Sequence, residues 1–281
     1  MGQIIYSATG CTRCKIVKKL MDERGIAFTE YDMKAEGKDE FQQFYKANRK
    51  AVFRGPEGVE FPIIYDGQEI RQGIASSVAY LLAGKKLDGF FSVGTLHKEW
   101  VDGIHVSGGD PFYSEEFLAV LRYLKKNNLK LQIETKGKNS SILEQIQAEA
   151  LADRVIMNVL GPRELYGAVL GSEINTEDVS KSMTLAASFP EYKYQTTVVP
   201  IAEQLGDEIE IRYLKPEEVA SAAKFIEEAT GSKKNSYLIK LFKPSESKDE
   251  RFKAVQPMEA NALLKYRSMA RAYQVMTEIE K

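Results

Sequence analysis

Tyr6-Ser7-Ala8-Thr9-Gly10-Cys11-Thr12-Arg13-Cys14-Lys15 is the stretch on which the reading of this chain turns. Before it, Gln3 to Tyr6 is a short β-prone run. Ser7 to Gly10 has loop composition, and from Lys15 to Arg24 apolar residues recur at helical spacing until Gly25. The order strand, loop, helix sets two cysteines three positions apart where the helix begins. Unpaired backbone N–H groups and the positive end of the helix dipole favour a thiolate there, which makes Cys11 the candidate nucleophile. Arg13 and Lys15 add positive charge beside it. Cys14, one turn on, is placed to resolve a mixed disulfide.

Cys11 and Cys14 are the only cysteines among the 281 residues. That count excludes a disulfide-stapled scaffold, a four-cysteine zinc site and any cluster needing three cysteine ligands from one chain. Two options remain: a redox pair, or a half-site for a metal or iron–sulfur cluster completed by a second chain. No metal site is expected within one chain, and no resident cofactor. With 43% hydrophobic and 28% charged residues the composition is that of an ordinary globular protein, and its length suits roughly two domains. The formal charge is −1, so no basic excess exists to bind nucleic acid. The N-terminal residues lack signal-peptide character, and no apolar run approaches the roughly 18 residues that span a bilayer. The expectation is a cytoplasmic protein with neither nucleic acid nor membrane as partner.

Further along, Ala27 to Tyr31 reads as a strand and Asp39 to Asn48 as a helix. Glu60 to Tyr65 reads as a strand turned by Asp66-Gly67 into a short partner at Glu69-Ile70, and Ser76 to Leu82 as a closing helix. The order β-α-β-α-β-β-α, the cysteine pair opening the first helix and the Glu60-Phe61-Pro62-Ile63-Ile64-Tyr65-Asp66-Gly67 segment together resemble glutaredoxin and the wider thioredoxin fold, over about the first 85 residues. In that plan the proline after Phe61 is cis and its neighbouring backbone pairs with an incoming disulfide. The resemblance therefore gives Phe61 and Pro62 a substrate-docking role, beside catalytic Cys11 and Cys14. Glutaredoxins hold glutathione with a Gly-Gly and an acid. Here Arg71-Gln72-Gly73-Ile74-Ala75-Ser76 keeps one glycine and no acid, so a protein disulfide is the expected substrate in place of glutathione. The Cys11 to Lys15 stretch is also similar to the arsenate-reductase branch of the fold, but the strand carrying Pro62 favours glutaredoxin.

Ala83 to Gly89 is short, polar and glycine-flanked, which places a boundary between a domain at 1–84 and a second at 85–281. The second reads as alternating strands and helices. The strands are Gly103–Ser107, Lys130–Glu134, Arg154–Val159, Lys193–Val199 and Ser236–Phe242, and a long helix follows from about Met258. Such alternation implies a parallel sheet wrapped by helices, giving an α/β protein throughout. Several segments carry a further resemblance: His105-Val106-Ser107-Gly108-Gly109-Asp110-Pro111-Phe112, Leu131 to Gly137, Val155 to Pro162, Tyr192 to Pro200 and Leu241 to Pro244. Together they look like the radical SAM activating enzymes of glycyl radical enzymes, particularly that of anaerobic ribonucleotide reductase, which form a partial (β/α) barrel.

That resemblance implies that Gly108, Gly109, Asp110 and Pro111 form the turn holding the amino group of S-adenosylmethionine, with Thr135 and Asn158 near the same ligand. Asp110 stands where Glu is usual, and Asn158 and Leu160 replace an Asp and a Lys. The family's Cys-x3-Cys-x2-Cys cluster motif is missing, for residues 85 to 281 contain no cysteine. Radical chemistry by this chain alone is not expected, and the pocket is read as vestigial. The functional expectation is a thiol–disulfide redox protein whose truncated barrel recognises a protein partner. The alternatives are a non-catalytic adaptor of a glycyl radical or radical SAM enzyme, or an inter-chain metal or iron–sulfur protein.

Overall fold

The computed structural model describes residues 2–55, 58–94, 99–205, 208–247 and 249–280. Its first part runs β1 (Gln3–Ser7), α1 (Thr12–Glu23), β2 (Phe28–Asp32), α2 (Lys38–Ala47), β3 (Arg54–Gly55), β4 (Gly58–Val59), β5 (Ile63–Tyr65), β6 (Ile70–Gln72) and α3 (Ile74–Ala83). β2, β1, β5 and β6 form one sheet in that order. β1 is parallel to β2 and antiparallel to β5, and β5 is antiparallel to β6. This is the thioredoxin-like arrangement that the sequence leads one to expect. One face of the sheet buries Tyr6 and Ile63 against Phe41 and Phe44 of α2. Tyr6 stacks on Phe44 with centroids 4.3 Å apart. α1 turns Cys14, Val17 and Met21, together with Ile16 and Leu20, inward, which is helical periodicity realised as a buried stripe.

The chain continues with β7 (Trp100–His105), α4 (Ser114–Lys126), β8 (Lys130–Thr135), α5 (Ser140–Ala148), β9 (Arg154–Asn158), α6 (Tyr166–Leu170), α7 (Thr176–Ala186) and β10 (Glu191–Val198). After these come β11 (Pro200–Leu205), β12 (Glu208–Tyr213), α8 (Pro216–Thr230), β13 (Tyr237–Leu241), α9 (Glu250–Lys253), α10 (Leu263–Ala270) and β14 (Thr277–Glu280). A six-stranded sheet has the order β14-β13-β10-β9-β8-β7, and its β9–β10, β10–β13 and β13–β14 pairs are parallel. By packing the chain divides into two compact units, Met1–Ile133 with Ala148–Asp153, and Glu134–Gln147 with Arg154–Lys281. Among the described residues no helix is long and apolar enough to cross a membrane.

Two local expectations are corrected and one element is added. The first helix begins at Thr12 and not at Lys15, because the cysteine pair itself makes its first turn. A hairpin of β11 and β12 follows β10, in register from Pro200↔Tyr213 to Leu205↔Glu208. Its signal was the strict alternation Glu208-Ile209-Glu210-Ile211-Arg212. The C-terminal segment is not one long helix. α10 stops at Ala270, where the buried Gln274 side chain donates to the Ser232 carbonyl and accepts from the Asn235 amide. The chain then resumes as β14 beside β13.

Candidate functional site

Cys11 and Cys14 are bonded to each other, with Cα atoms 5.3 Å apart. Cys11 has extended backbone angles and caps α1: its Sγ accepts the Cys14 amide N–H at 3.1 Å. A sulfur in the place usually taken by a Ser or Asp oxygen meets one of the helix's unpaired donors, and the same N–H favours a thiolate once the bond is reduced. Cys11 is half-buried, whereas Cys14 is only 2% exposed. An incoming disulfide can therefore reach the first sulfur and not the second, the asymmetry that separates an attacking from a resolving thiol.

The loop that presents Cys11 is held from β2. Asp32 accepts from the Thr9 amide at 3.0 Å and the Thr9 hydroxyl at 2.8 Å, and Cys11 N–H donates to the Ala8 carbonyl. Gly10 takes a φ of +82°, which a side chain would resist. Phe61-Pro62 is a cis peptide. The β1–β5 register, ending at Tyr6↔Ile63, brings the end of β1 and the start of β5 to one end of the sheet. The loop carrying Cys11 and the segment carrying Pro62 thus share that end. Pro62 is buried and its carbonyl accepts from Gly73 N–H. The Phe61 ring packs 5.2 Å from Phe41, as part of the aromatic cluster under α2. Lys15 is exposed.

Arg13 is not turned out to solvent. Its Nη1 donates to Glu60 at 3.0 Å and its Nη2 donates to the Trp100 carbonyl at 2.5 Å. Glu60 lies two residues before Pro62, and its backbone is clamped by Gln72, which is 2% exposed and donates to the carbonyls of both Glu60 and Phe53. Burial pushes the Glu60 carboxyl up to about 7; Arg13 pulls the other way and Asp102 adds to the rise. Glu60, Gln72 and Asp102 were not singled out from the sequence. The available signal was an acid inside the apolar run Gly58-Val59-Glu60-Phe61-Pro62.

The glycines of the turn before α4 pack directly against the chain itself. A Cβ on Gly109 would fall inside the Phe90 ring, and one on Gly108 against the Gly89 carbonyl. Phe90 is fully buried and stacks on Phe117, centroids 4.4 Å apart, so the chain's own backbone and ring take the close approach that these glycines permit. Asp110 caps its own turn, accepting from Phe112 N–H at 2.9 Å. Pro111 is exposed, and Phe112 is 81% exposed. In the second unit, the Thr135 hydroxyl accepts from Gly137 N–H, and Asn158 accepts from the Gln195 amide at 2.7 Å. His105 shares a hydrogen bond of 2.7 Å with Ser92, and His97 lies outside the described residues.

Residues 4–70 match the family model of the glutaredoxins, so a thioredoxin-like domain of glutaredoxin type carries the cysteine pair. A protein of Methanocaldococcus jannaschii with the provisional name glycyl-radical enzyme activating enzyme is 21% identical over 180 residues, 62% of this chain and 68% of that protein. A domain of pyruvate-formate lyase-activating enzyme from Bacteroides vulgatus superposes with a TM-score of 0.42 at 12% identity, over 64% of this chain and 100% of that one. Coproporphyrinogen III oxidase from Escherichia coli, titled a radical SAM enzyme, gives 0.40 at 19% identity, over 61% of this chain and 40% of that one.

Proposed function

We propose that this protein is a cytoplasmic thiol–disulfide oxidoreductase that acts through Cys11 and Cys14 on a protein partner belonging to a glycyl radical enzyme system. The Cys11 thiolate attacks a partner disulfide, forming a mixed disulfide and releasing one partner thiolate. The Cys14 thiolate then attacks Cys11 Sγ, closing the Cys11–Cys14 bond and releasing the second partner thiolate. Two electrons pass to the partner, and a cellular dithiol restores the pair. The domain after the glutaredoxin unit serves partner recognition. The observation that carries this reading is the asymmetry of the pair: Cys11 is accessible and capped by an amide, Cys14 is buried behind it, and both sit at the sheet end that also carries Pro62. Reduced protein exchanging with a mixed peptide disulfide, with loss of turnover in Cys11→Ser, supports it. A reduced protein inert towards every such disulfide refutes it.

A second reading is a non-catalytic adaptor. It is favoured by similarity to a protein named as an activating enzyme in a chain whose residues 85–281 lack cysteine. A Cys11→Ser/Cys14→Ser double variant that still forms an intact complex with a glycyl radical enzyme or its activator supports the adaptor. A complex that needs Cys11 supports the oxidoreductase.

A further inference from the structure

Asp32, the last residue of β2, fixes the loop that ends in Cys11 and takes no part in the exchange itself. The β1–β2 register pairs Ser7 with Asp32, so the carboxylate stands where the chain leaves β1 for the cysteine loop. Its Oδ1 accepts from the Thr9 amide at 3.0 Å and from the Lys34 amide at 2.9 Å, and its Oδ2 accepts from the Thr9 hydroxyl at 2.8 Å. Asp32 is itself a fixed post. Its carbonyl accepts from the Ala35 and Gly37 amides at 3.0 and 3.1 Å, and Gly37 packs so closely that a Cβ there would lie 2.5 Å from the Asp32 nitrogen. The charges acting beside it are Lys18 of α1 and Glu30 of β2, which are bonded to each other.

The hold on Thr9 reaches the sulfur along a short path. The Ala8 carbonyl accepts from the Cys11 amide at 3.0 Å, and Cys11 Sγ accepts from the Cys14 amide at 3.1 Å. Between Thr9 and Cys11 lies only Gly10, at a φ of +82°, where a Cβ would meet no described atom within 4 Å beyond its chain neighbours. A glycine so placed is a free pivot. In the oxidised protein the bond to Cys14 holds Cys11 in any case. Reduction removes that bond, and Sγ then stays on the Cys14 amide only as far as the loop keeps it there. A hydrogen bond to a thiolate stabilises the ion far more than the thiol, so losing it raises the thiol pKa. Taking away a neighbouring carboxylate does the reverse, because repulsion of the thiolate is relieved. Position and charge at Asp32 thus act on Cys11 with opposite signs.

We propose that Asp32 is a positioning residue for the nucleophile, acting through Thr9 to keep Cys11 Sγ on the Cys14 amide after reduction and so to hold the thiol ionised. The proposal rests on the reading of Cys11 and Cys14 as an exchanging pair. In the step it governs, a dithiol becomes a disulfide and passes two electrons and two protons to the pair, which opens to two thiols. Cys11 then ionises, its proton passing to solvent and its thiolate accepting the Cys14 N–H. Asp32 neither gives nor takes a proton. The Lys34 amide first, and the Thr9 hydroxyl and amide after it, keep its carboxyl below the usual carboxylate range.

The test is the pH dependence of Cys11 alkylation by iodoacetamide in the full chain, reduced with dithiothreitol and then freed of it, with the modified cysteine identified by mass spectrometry. Arg13, Lys15, Lys18, Glu30, Lys34 and Glu60 are the same in every variant. Asp32→Ala is expected to raise the thiol pKa by about one unit, the order of one hydrogen bond to a charged group. Exchange with a mixed peptide disulfide then slows about threefold below that pKa, since the roughly tenfold loss of thiolate is partly offset by a more basic sulfur. Asp32→Asn, which keeps an acceptor for the two amides, is expected to return the pKa to the wild-type value or below it. Thr9→Val keeps the carboxylate and loses one donor, and is expected to raise the pKa by less than Asp32→Ala does. A pKa lowered alike in both Asp32 variants means that Asp32 acts by charge alone, and an unmoved pKa in Asp32→Ala means that it acts on the fold alone. Either result overturns the proposal while leaving the exchange reading standing. Should Asp32→Ala fail to fold, an unmoved pKa in Thr9→Val overturns the proposal by itself. A reduced wild type that exchanges with no disulfide overturns the reading beneath it as well.

Discussion

Replacing Glu60 by Gln keeps its shape and removes its charge, and the structure sets both the size and the sign of the effect. The carboxyl stands at about 7 in the folded protein against an ordinary 4.5, chiefly because burial disfavours the ion. At ~1.36 kcal/mol per pH unit that difference corresponds to roughly 3 kcal/mol. Water still reaches part of the side chain, which is 18% exposed, and screening leaves roughly 2 kcal/mol to observe. Because the folded value lies above the unfolded one, the folded state holds a proton that the unfolded chain gives up. The group's contribution to stability is thus complete below about pH 4.5 and is lost as pH rises through about 7. Wild type is expected to lose this ~2 kcal/mol between pH 4.5 and 7.5, and Glu60→Gln to lose none of it, so the variant gains on wild type steadily across that window. Urea unfolding at fixed ionic strength, followed by fluorescence of Trp100, reads the difference near the Arg13–Glu60 pair, because Trp100 is the only tryptophan in the chain. Parallel stability curves for the two proteins from pH 4.5 to 7.5 would refute the reasoning.

Arg13→Ala removes the partner of a largely buried carboxylate and the donor to the Trp100 carbonyl. It is expected to cost about 2–3 kcal/mol at pH 8 and less at pH 5, where Glu60 is protonated; chemical denaturation at the two pH values checks this. Gln72→Leu leaves the Phe53 amide and the Phe53 and Glu60 carbonyls without their partner, and about 2 kcal/mol of stability is expected to go with them in the same assay. Gly109→Ala drives a methyl into the Phe90 ring and is expected to cost about 2 kcal/mol, with part of that returned in Gly109→Ala/Phe90→Ala. Strict additivity of the two substitutions would contradict the packing described. S-adenosylmethionine is expected to show no binding to wild type by equilibrium dialysis at millimolar ligand, since Phe90 and the Gly89 carbonyl pack directly against Gly109 and Gly108. Saturable binding would overturn that.

The glutaredoxin-like unit was legible because its signals are local. The cysteine pair at a helix start and a proline opening a short strand can be read without knowing what packs where. α4, β8, β9 and α8 were likewise visible as runs of matching period. What escaped the sequence is what depends on distant partners. Arg13 reads as a free cation beside two thiols, and only folding brings it against an acid 47 positions away and a carbonyl 87 positions away. Gly108-Gly109 reads as a ligand turn because glycine permits close approach, but the approaching group is Phe90, a residue with no marker in its own segment. β14 was hidden behind a helix-forming composition. The strand is four residues long, and its pairing with β13 exists only once the chain has been turned by Gln274.

The central claim is that Cys11 attacks a protein disulfide and Cys14 resolves it. Cys14→Ser, expressed in the native host and quenched with acid, isolates the first step, and non-reducing electrophoresis with mass spectrometry of the adduct reads it directly. The account predicts a mixed disulfide between Cys11 and a cysteine of one protein, abolished by dithiothreitol and absent from Cys11→Ser. A Cys14→Ser protein recovered only with a free Cys11 thiol would contradict it.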